Sequence, residues 1–221
     1  MRILEQASPN QDERGEAPID MLVLHYTGMQ TGQAALARLC DPAARVSAHY
    51  TIDEDGTVYA HVPEDRRAWH AGVSYWAGAT NINARSIGVE IVNPGHEFGY
   101  RVFPDVQIET VITLCRAILG RHAIQAARVL GHSDVAPARK DDPGELFPWQ
   151  RLAEAGIGLW PQLGRGDLGP DALSRFGYDP DAPQDKVITA FQRHFRPEKL
   201  DGQWDGKCSA LLASLLRTAG V

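Results

Sequence analysis

Apolar residues run along this chain in two rhythms. Met21 to Tyr26 is a nearly unbroken apolar run ending at Thr27-Gly28. That pattern predicts a short strand buried on both faces, with His25 near its C-terminal end. Ser86 to Val92 predicts a second buried strand, closed by Asn93-Pro94-Gly95. Between them, Val46 to Ile52 and Thr57 to Val62 flank Asp53-Glu54-Asp55-Gly56, the pattern of a hairpin with an Asp-Gly turn. Arg128 to Leu130 predicts one more short strand, running into Gly131-His132.

The second rhythm is helical. Gln33 to Leu39 predicts a short helix. Val106, Ile108, Val111, Ile112, Leu114, Cys115, Ile118 and Leu119 recur at helical spacing, with Asp105 as the expected N-cap and Gly120 as the expected stop. Helices and strands interleave, so an α/β fold is expected: a mixed central sheet flanked by helices. Gly156 to Pro170 is rich in Gly and Pro and is expected to be a linker. Three helix-like segments follow, Ala172 to Phe176, Gln184 to Phe195 and Ser209 to Arg217. The expected organisation is a main domain over residues 1–160. Residues 161–221 then form the linker and a small three-helix domain, which suits a chain of 221 residues.

Charge and cysteines narrow the function classes. The net charge is −6 and there is no Lys/Arg run, so nucleic acid is not an expected partner. No apolar stretch is long enough to span a membrane, and none is expected as a partner. Met1 to Asp20 is polar, without an apolar leader core or a lipobox-like cysteine. A cytoplasmic protein is therefore expected, or a periplasmic one if a leader precedes this sequence in the cell. Cys40, Cys115 and Cys208 are odd in number and widely spaced, unlike a disulfide framework. A monomer is expected.

The candidate chemistry lies among eight histidines. His25 closes a buried strand, and in open sheets with parallel strands sites gather at the carboxyl ends. Taken alone, it is equally well a satisfied core histidine. The stretch from Gly131 to Gly144 delivers His132 from a strand into a loop containing Pro137 and Pro143, then returns Lys140 and Asp142. Any one of these residues could be ordinary loop decoration. Together, two histidines, one carboxylate and one open position make a catalytic zinc site rather than a closed structural one.

Five blocks carry a resemblance: Val23-Leu24-His25-Tyr26-Thr27, Val46-Ser47-Ala48-His49-Tyr50, Trp69-His70-Ala71-Gly72, Ser86-Ile87-Gly88-Val89-Glu90, and the Gly131 to Gly144 stretch. Over about Ala17 to Trp149 the chain resembles the type 2 zinc N-acetylmuramoyl-L-alanine amidases of the AmpD/AmiD kind. The resemblance implies zinc held by His25, His132 and Asp142. It also implies Glu90 as the catalytic glutamate, and Lys140 as the cation facing the reacting carbonyl. The ordinary alternative for Lys140 is a surface lysine paired with Asp141 or Asp142. Some relatives place a tyrosine near the zinc in the hairpin block; Ala48 and His49 stand there in this chain, so no tyrosine is assigned. The implied substrates are muropeptides, including 1,6-anhydro-muropeptides. Trp69 and His70 are expected as a substrate wall. Asn83 and Arg85, just before the Glu90 strand, are further substrate candidates. His61, His96, His122 and His194 are given no role. Val187 to Gln192 with Leu200-Asp201-Gly202 resembles a small peptidoglycan-binding helical domain. Two other functions remain open at this point: a peptidoglycan-recognition protein without catalysis, and a different zinc hydrolase such as a peptidase.

Overall fold

The computed structural model describes residues 1–221. The chain opens with two short strands where the apolar pattern assigns none, β1 (Ile3–Glu5) and β2 (Gln11–Glu13). Next come β3 (Met21–Tyr26), α1 (Gly32–Cys40), β4 (Tyr50–Ile52), β5 (Val58–Ala60) and β6 (Arg66–Ala68). Then follow α2 (Ile82–Arg85), β7 (Ser86–Ile91), α3 (Gly95–Phe98), α4 (Asp105–Arg121) and β8 (Val129–Gly131). The remainder is helical: α5 (His132–Val135), α6 (Trp149–Glu154), α7 (Leu173–Phe176), α8 (Gln184–Phe195) and α9 (Gly206–Ala219).

Six strands form one sheet in the order β1-β5-β4-β7-β3-β8, while β2 and β6 pair separately. Within the large sheet only β4 and β5 run antiparallel, as the Asp-Gly hairpin requires. The fold is the mixed, mostly parallel α/β sheet flanked by helices that the alternating pattern predicts. Its hairpin strands are shorter than expected, since residues 46–49 lie outside β4.

Side-chain alternation on β3 explains its unbroken apolar run. Leu22 and Leu24 face one side, packed with Ile87, Val89 and Ile91 of β7 and with Ile108, Val111, Leu114 and Ile118 of α4. Met21 and Val23 face the other, in a cluster with Leu130, Trp76, Phe191 and Leu212. Both faces are dry from Met21 to Leu24, so the run stays apolar until His25. Two helix boundaries differ from expectation. Asp105 is the first residue of α4 rather than its cap, because Pro104 holds the capping position. Gly120 does not stop α4, which continues to Arg121. The Gly/Pro-rich stretch lies against α9: Leu168 N–H donates to Ser209 Oγ at 2.7 Å, and Trp204 Nε1–H donates to Leu168 O at 2.8 Å. No helix is long and apolar enough to cross a membrane. All three cysteines are free.

One ion cluster knits β4 to the C-terminal end of α4. Glu64, with 14% of its side chain exposed, accepts from Tyr50 OH at 2.8 Å, Arg121 Nη2 at 2.6 Å and His122 Nε2 at 2.7 Å. Burial works to raise its pKa, but these donors outweigh it and bring the carboxyl down to about 2. A carboxyl depressed on folding stabilises the protein above its unfolded pKa near 4.5, and that stabilisation fades as pH falls towards 2. Glu64→Gln is accordingly expected to cost about 2–3 kcal/mol at pH 7 and progressively less below about pH 4.5. Urea unfolding of both proteins at pH 7, 4 and 3 checks this. A gap that stays constant with pH would contradict it.

Candidate active site

Parallel pairing brings the chemistry to one end of the sheet. In the β3–β7 register His25 lies opposite Glu90, and β8 beside β3 hands Gly131 directly to His132. The loop after α5 then folds back, Ser133 N–H donating to Asp142 O at 2.9 Å. His25, His132 and Asp142 thus converge, all three buried. His25 Nδ1, His132 Nδ1 and Asp142 Oδ2 form a near-equilateral triangle, with separations of 3.0, 3.0 and 3.1 Å.

The outer hydrogen bonds set the tautomers. The Ser86 hydroxyl donates to Ile82 O at 2.7 Å, so its oxygen accepts from His70 Nε2–H at 3.1 Å. His70 Nδ1 then accepts from His25 Nε2–H at 3.0 Å. On the other ligand, His132 Nε2–H donates to Ala71 O at 3.0 Å. Both Nδ1 atoms are left as bare lone pairs pointing at a carboxylate oxygen. Three buried acceptors at hydrogen-bond distance with no proton among them repel one another unless a cation sits between them. Burial, helped by His132, lowers the His25 pKa to about 4 and keeps the ring neutral. Burial would raise Asp142; positive charge within the triangle, on His132 and His25 when no cation is bound, holds its carboxyl well below the usual range. Neutral imidazoles and an ionised carboxylate fit a dication, and zinc in particular.

The alternation on β7 serves the same end. Ile87, Val89 and Ile91 enter the core, so Ser86, Gly88 and Glu90 face the site. Ser86 anchors His70. Gly88 makes room for it, since a Cβ there would lie 2.4 Å from the His70 ring. Glu90 opens into the cleft, with Oε2 buried and without a hydrogen-bond partner. Its pKa is pushed well above the usual carboxylate range by burial, with the charge of Asp142 adding to this and Lys140 opposing.

The cleft has a volume of about 370 Å³. Trp69 forms one wall, with Arg45 stacked 5.5 Å from its ring centroid. Lys140 lines the cleft, and neither expected partner holds it: Asp141 pairs with Arg193, and Asp142 faces the two imidazoles. His70 touches the cleft but is turned inward to brace His25.

Two substrate candidates lie off the cleft lining. Asn83 is not on the cleft; its Oδ1 accepts from His70 N–H at 3.1 Å and Ala71 N–H at 2.8 Å, holding the loop behind the ligands. Arg85 points away, paired with Asp20. Both precede β7, at the end of the sheet opposite the site. Residues that the sequence did not single out complete the lining, notably Tyr26, Arg38, His96, Glu97 and Arg139. His96, given no role from sequence, bonds Tyr26 OH at 3.0 Å and stacks on Tyr100. Tyr26 could have been found from its place next to His25 at a strand end. Arg38 carried no local signal.

Residues 15–145 match the Amidase_2 family, described as N-acetylmuramoyl-L-alanine amidase. The chain belongs to this family. It is similar to the Escherichia coli K12 protein N-acetylmuramoyl-L-alanine amidase AmiD, with 38% identity over 99% of this chain and 91% of that protein. It is also similar to 1,6-anhydro-N-acetylmuramyl-L-alanine amidase AmpD of Enterobacter cloacae, with 35% identity over 66% of this chain and 85% of that one. Among solved structures, it resembles E. coli AmiD in complex with the substrate anhydro-N-acetylmuramic acid-L-Ala-D-gamma-Glu-L-Lys. That match has a TM-score of 0.81 at 38% identity and covers 93% of this chain and 92% of that chain. AmpDh3 of Pseudomonas aeruginosa gives a TM-score of 0.82 at 33% identity over 95% of this chain and 94% of that chain. AmpDh3 has also been solved with an anhydromuramic pentapeptide.

Proposed function

We propose that this chain is a zinc-dependent N-acetylmuramoyl-L-alanine amidase. It hydrolyses the amide between N-acetylmuramic acid, or its 1,6-anhydro form, and L-alanine in muropeptides. The observation that carries this is the triangle of unprotonated donors on His25, His132 and Asp142 beside the partnerless carboxyl of Glu90. Held by those three residues, zinc would supply Lewis-acid chemistry, polarising the scissile carbonyl and acidifying water.

The chain's own groups do the rest. Glu90 takes a proton from the attacking water as its oxygen joins the carbonyl carbon. The Lys140 ammonium stabilises the negative charge that gathers on the carbonyl oxygen. Glu90 then delivers the proton to the alanine nitrogen as the carbon–nitrogen bond breaks. The products are the lactyl carboxylate of the sugar and a peptide with a free amine. Trp69 gives the sugar or peptide an aromatic face. Cationic Arg38 and Arg139 suit the carboxylates of a stem peptide. We extend the proposal to both ordinary and anhydro sugars and to use in peptidoglycan recycling or turnover. Residues 161–221 are proposed as the peptidoglycan-binding-like part.

Purified protein loaded with zinc should release free peptide from muropeptides, seen by mass spectrometry. A chelator should abolish release and added zinc restore it. No release from anhydro or ordinary muropeptides with zinc present would overturn the proposal and favour a binding protein. Cleavage of sugar-free peptides instead would favour a peptidase. Fractionation of cells making the protein tests the compartment, with cytoplasmic recovery the expected result.

A further inference from the structure

Two of the three candidate metal donors, His132 and Asp142, sit on one stretch of chain, and the C-terminal helices hold that stretch from behind. Asp134, two residues after His132, has a side chain with no exposed surface. Its Oδ2 accepts from Gly131 N–H at 2.7 Å and from His194 Nδ1–H at 2.7 Å. Its Oδ1 accepts from Tyr178 OH at 2.7 Å. The His194 ring is fixed in turn, stacked between Trp149 at 3.8 Å and Phe195 at 3.9 Å. The preceding residue on α8, Arg193, is 10% exposed in its side chain and donates to Asp141 Oδ1 at 2.8 Å, next to Asp142. Two consecutive residues of one helix therefore grip the chain beside two donors. The surrounding core is continuous: Val135 and Leu130 share one apolar cluster with Tyr178, Ile188 and Phe191.

We infer that Tyr178, Arg193 and His194 are positioning residues for the metal site, so that the C-terminal helices build the donor geometry as well as appending a module to it. A buried carboxylate stays put only while its donors do; removing one leaves part of its charge uncompensated and drives local rearrangement. Outer partners of metal ligands set affinity in this way, typically by about 10–100-fold. Asp134 orients the turn that carries His132, and Asp141 is the neighbour of Asp142. This inference rests on the zinc reading above.

The test measures zinc affinity of the full-length protein by competition with a chromophoric chelator, along with the visible spectrum of the cobalt-loaded form. Tyr178→Phe and His194→Leu should each weaken zinc about 10-fold or more and shift the cobalt bands. His194→Asn keeps an N–H donor near the Nδ1 position and should recover most of the loss. Arg193→Met, a milder change at a rim pair, should fold normally and weaken zinc in the same direction. Leu212→Ala, in the same apolar cluster, should lower Tm while leaving zinc affinity and the cobalt spectrum as in wild type. Variants that bind zinc as tightly as wild type would overturn the positioning role, and so would equal weakening by Leu212→Ala. A wild type that takes up no zinc would instead overturn the zinc reading itself, and the positioning role with it.

Discussion

Glu90→Gln is expected to lower kcat on muropeptides by about 10²–10⁴-fold, the usual contribution of a positioned general base. Zinc uptake and substrate affinity should stay near wild type. The substitution preserves shape and replaces a proton acceptor with an amide that cannot carry a proton through the reaction. Nothing in the resting structure depends on the atom removed, because Glu90 Oε2 has no hydrogen-bond partner. Structural collapse is therefore a poor explanation for any loss. A buried carboxyl without a partner is unfavourable, and its retention at the mouth of a cleft is what a proton carrier needs. Single-turnover assays with isothermal titration of a slowly cleaved muropeptide separate the two effects. A variant turning over within about tenfold of wild type would move the base role elsewhere. A wild type as inactive as the variant would make the cleft a binding site.

Much of this site is legible in the sequence, because its elements are local. The runs at Met21 and Ser86 announce buried strands, and parallel pairing of such strands gathers His25 and Glu90 at one end. The loop from His132 to Asp142 carries its own spacing. The Ser-Ile-Gly-Val-Glu-Ile order of β7 even shows which side chains face the cleft, once the apolar positions are assigned to the core. What was not legible is long-range and polar. His70 looked like a wall residue because a Trp-His pair suits a sugar; it turns inward because Ser86 and Gly88, some 16 and 18 positions on, give it an anchor and a space. Asn83 and Arg85 looked close to Glu90 in sequence. They sit in α2, before β7 begins, and the strand's rise of about 3.3 Å per residue from Ser86 to Glu90 puts them at its far end. His194 looked idle for the same reason: its partner Asp134 lies 60 positions away.

The N-terminal segment makes the same point at the scale of stability. Arg14→Met is expected to cost about 3–5 kcal/mol, since it strips donors from several buried acceptors at once. For a chain of this size that is a fall in Tm of about 10 °C. Arg14 is 7% exposed and has no carboxylate partner. Its guanidinium is spent on carbonyls: Nε donates to Glu64 O at 3.1 Å, and Nη1 donates to Asn83 O, Ala84 O and Ser86 O at 3.1, 3.0 and 2.9 Å. Nη2 donates to Arg66 O at 2.7 Å. Burial lowers its pKa to about 10, so it stays charged at neutral pH. One side chain thus ties the β2–β3 connection to β6, α2 and the first residue of β7, where Ser86 begins the relay to His70 and His25. Arg14→Lys should recover little of the loss, because three donors on a single nitrogen cannot span carbonyls that a planar fork reaches. Differential scanning calorimetry of both variants checks this. A Tm for Arg14→Met within about 2 °C of wild type would show that water replaces the guanidinium without loss.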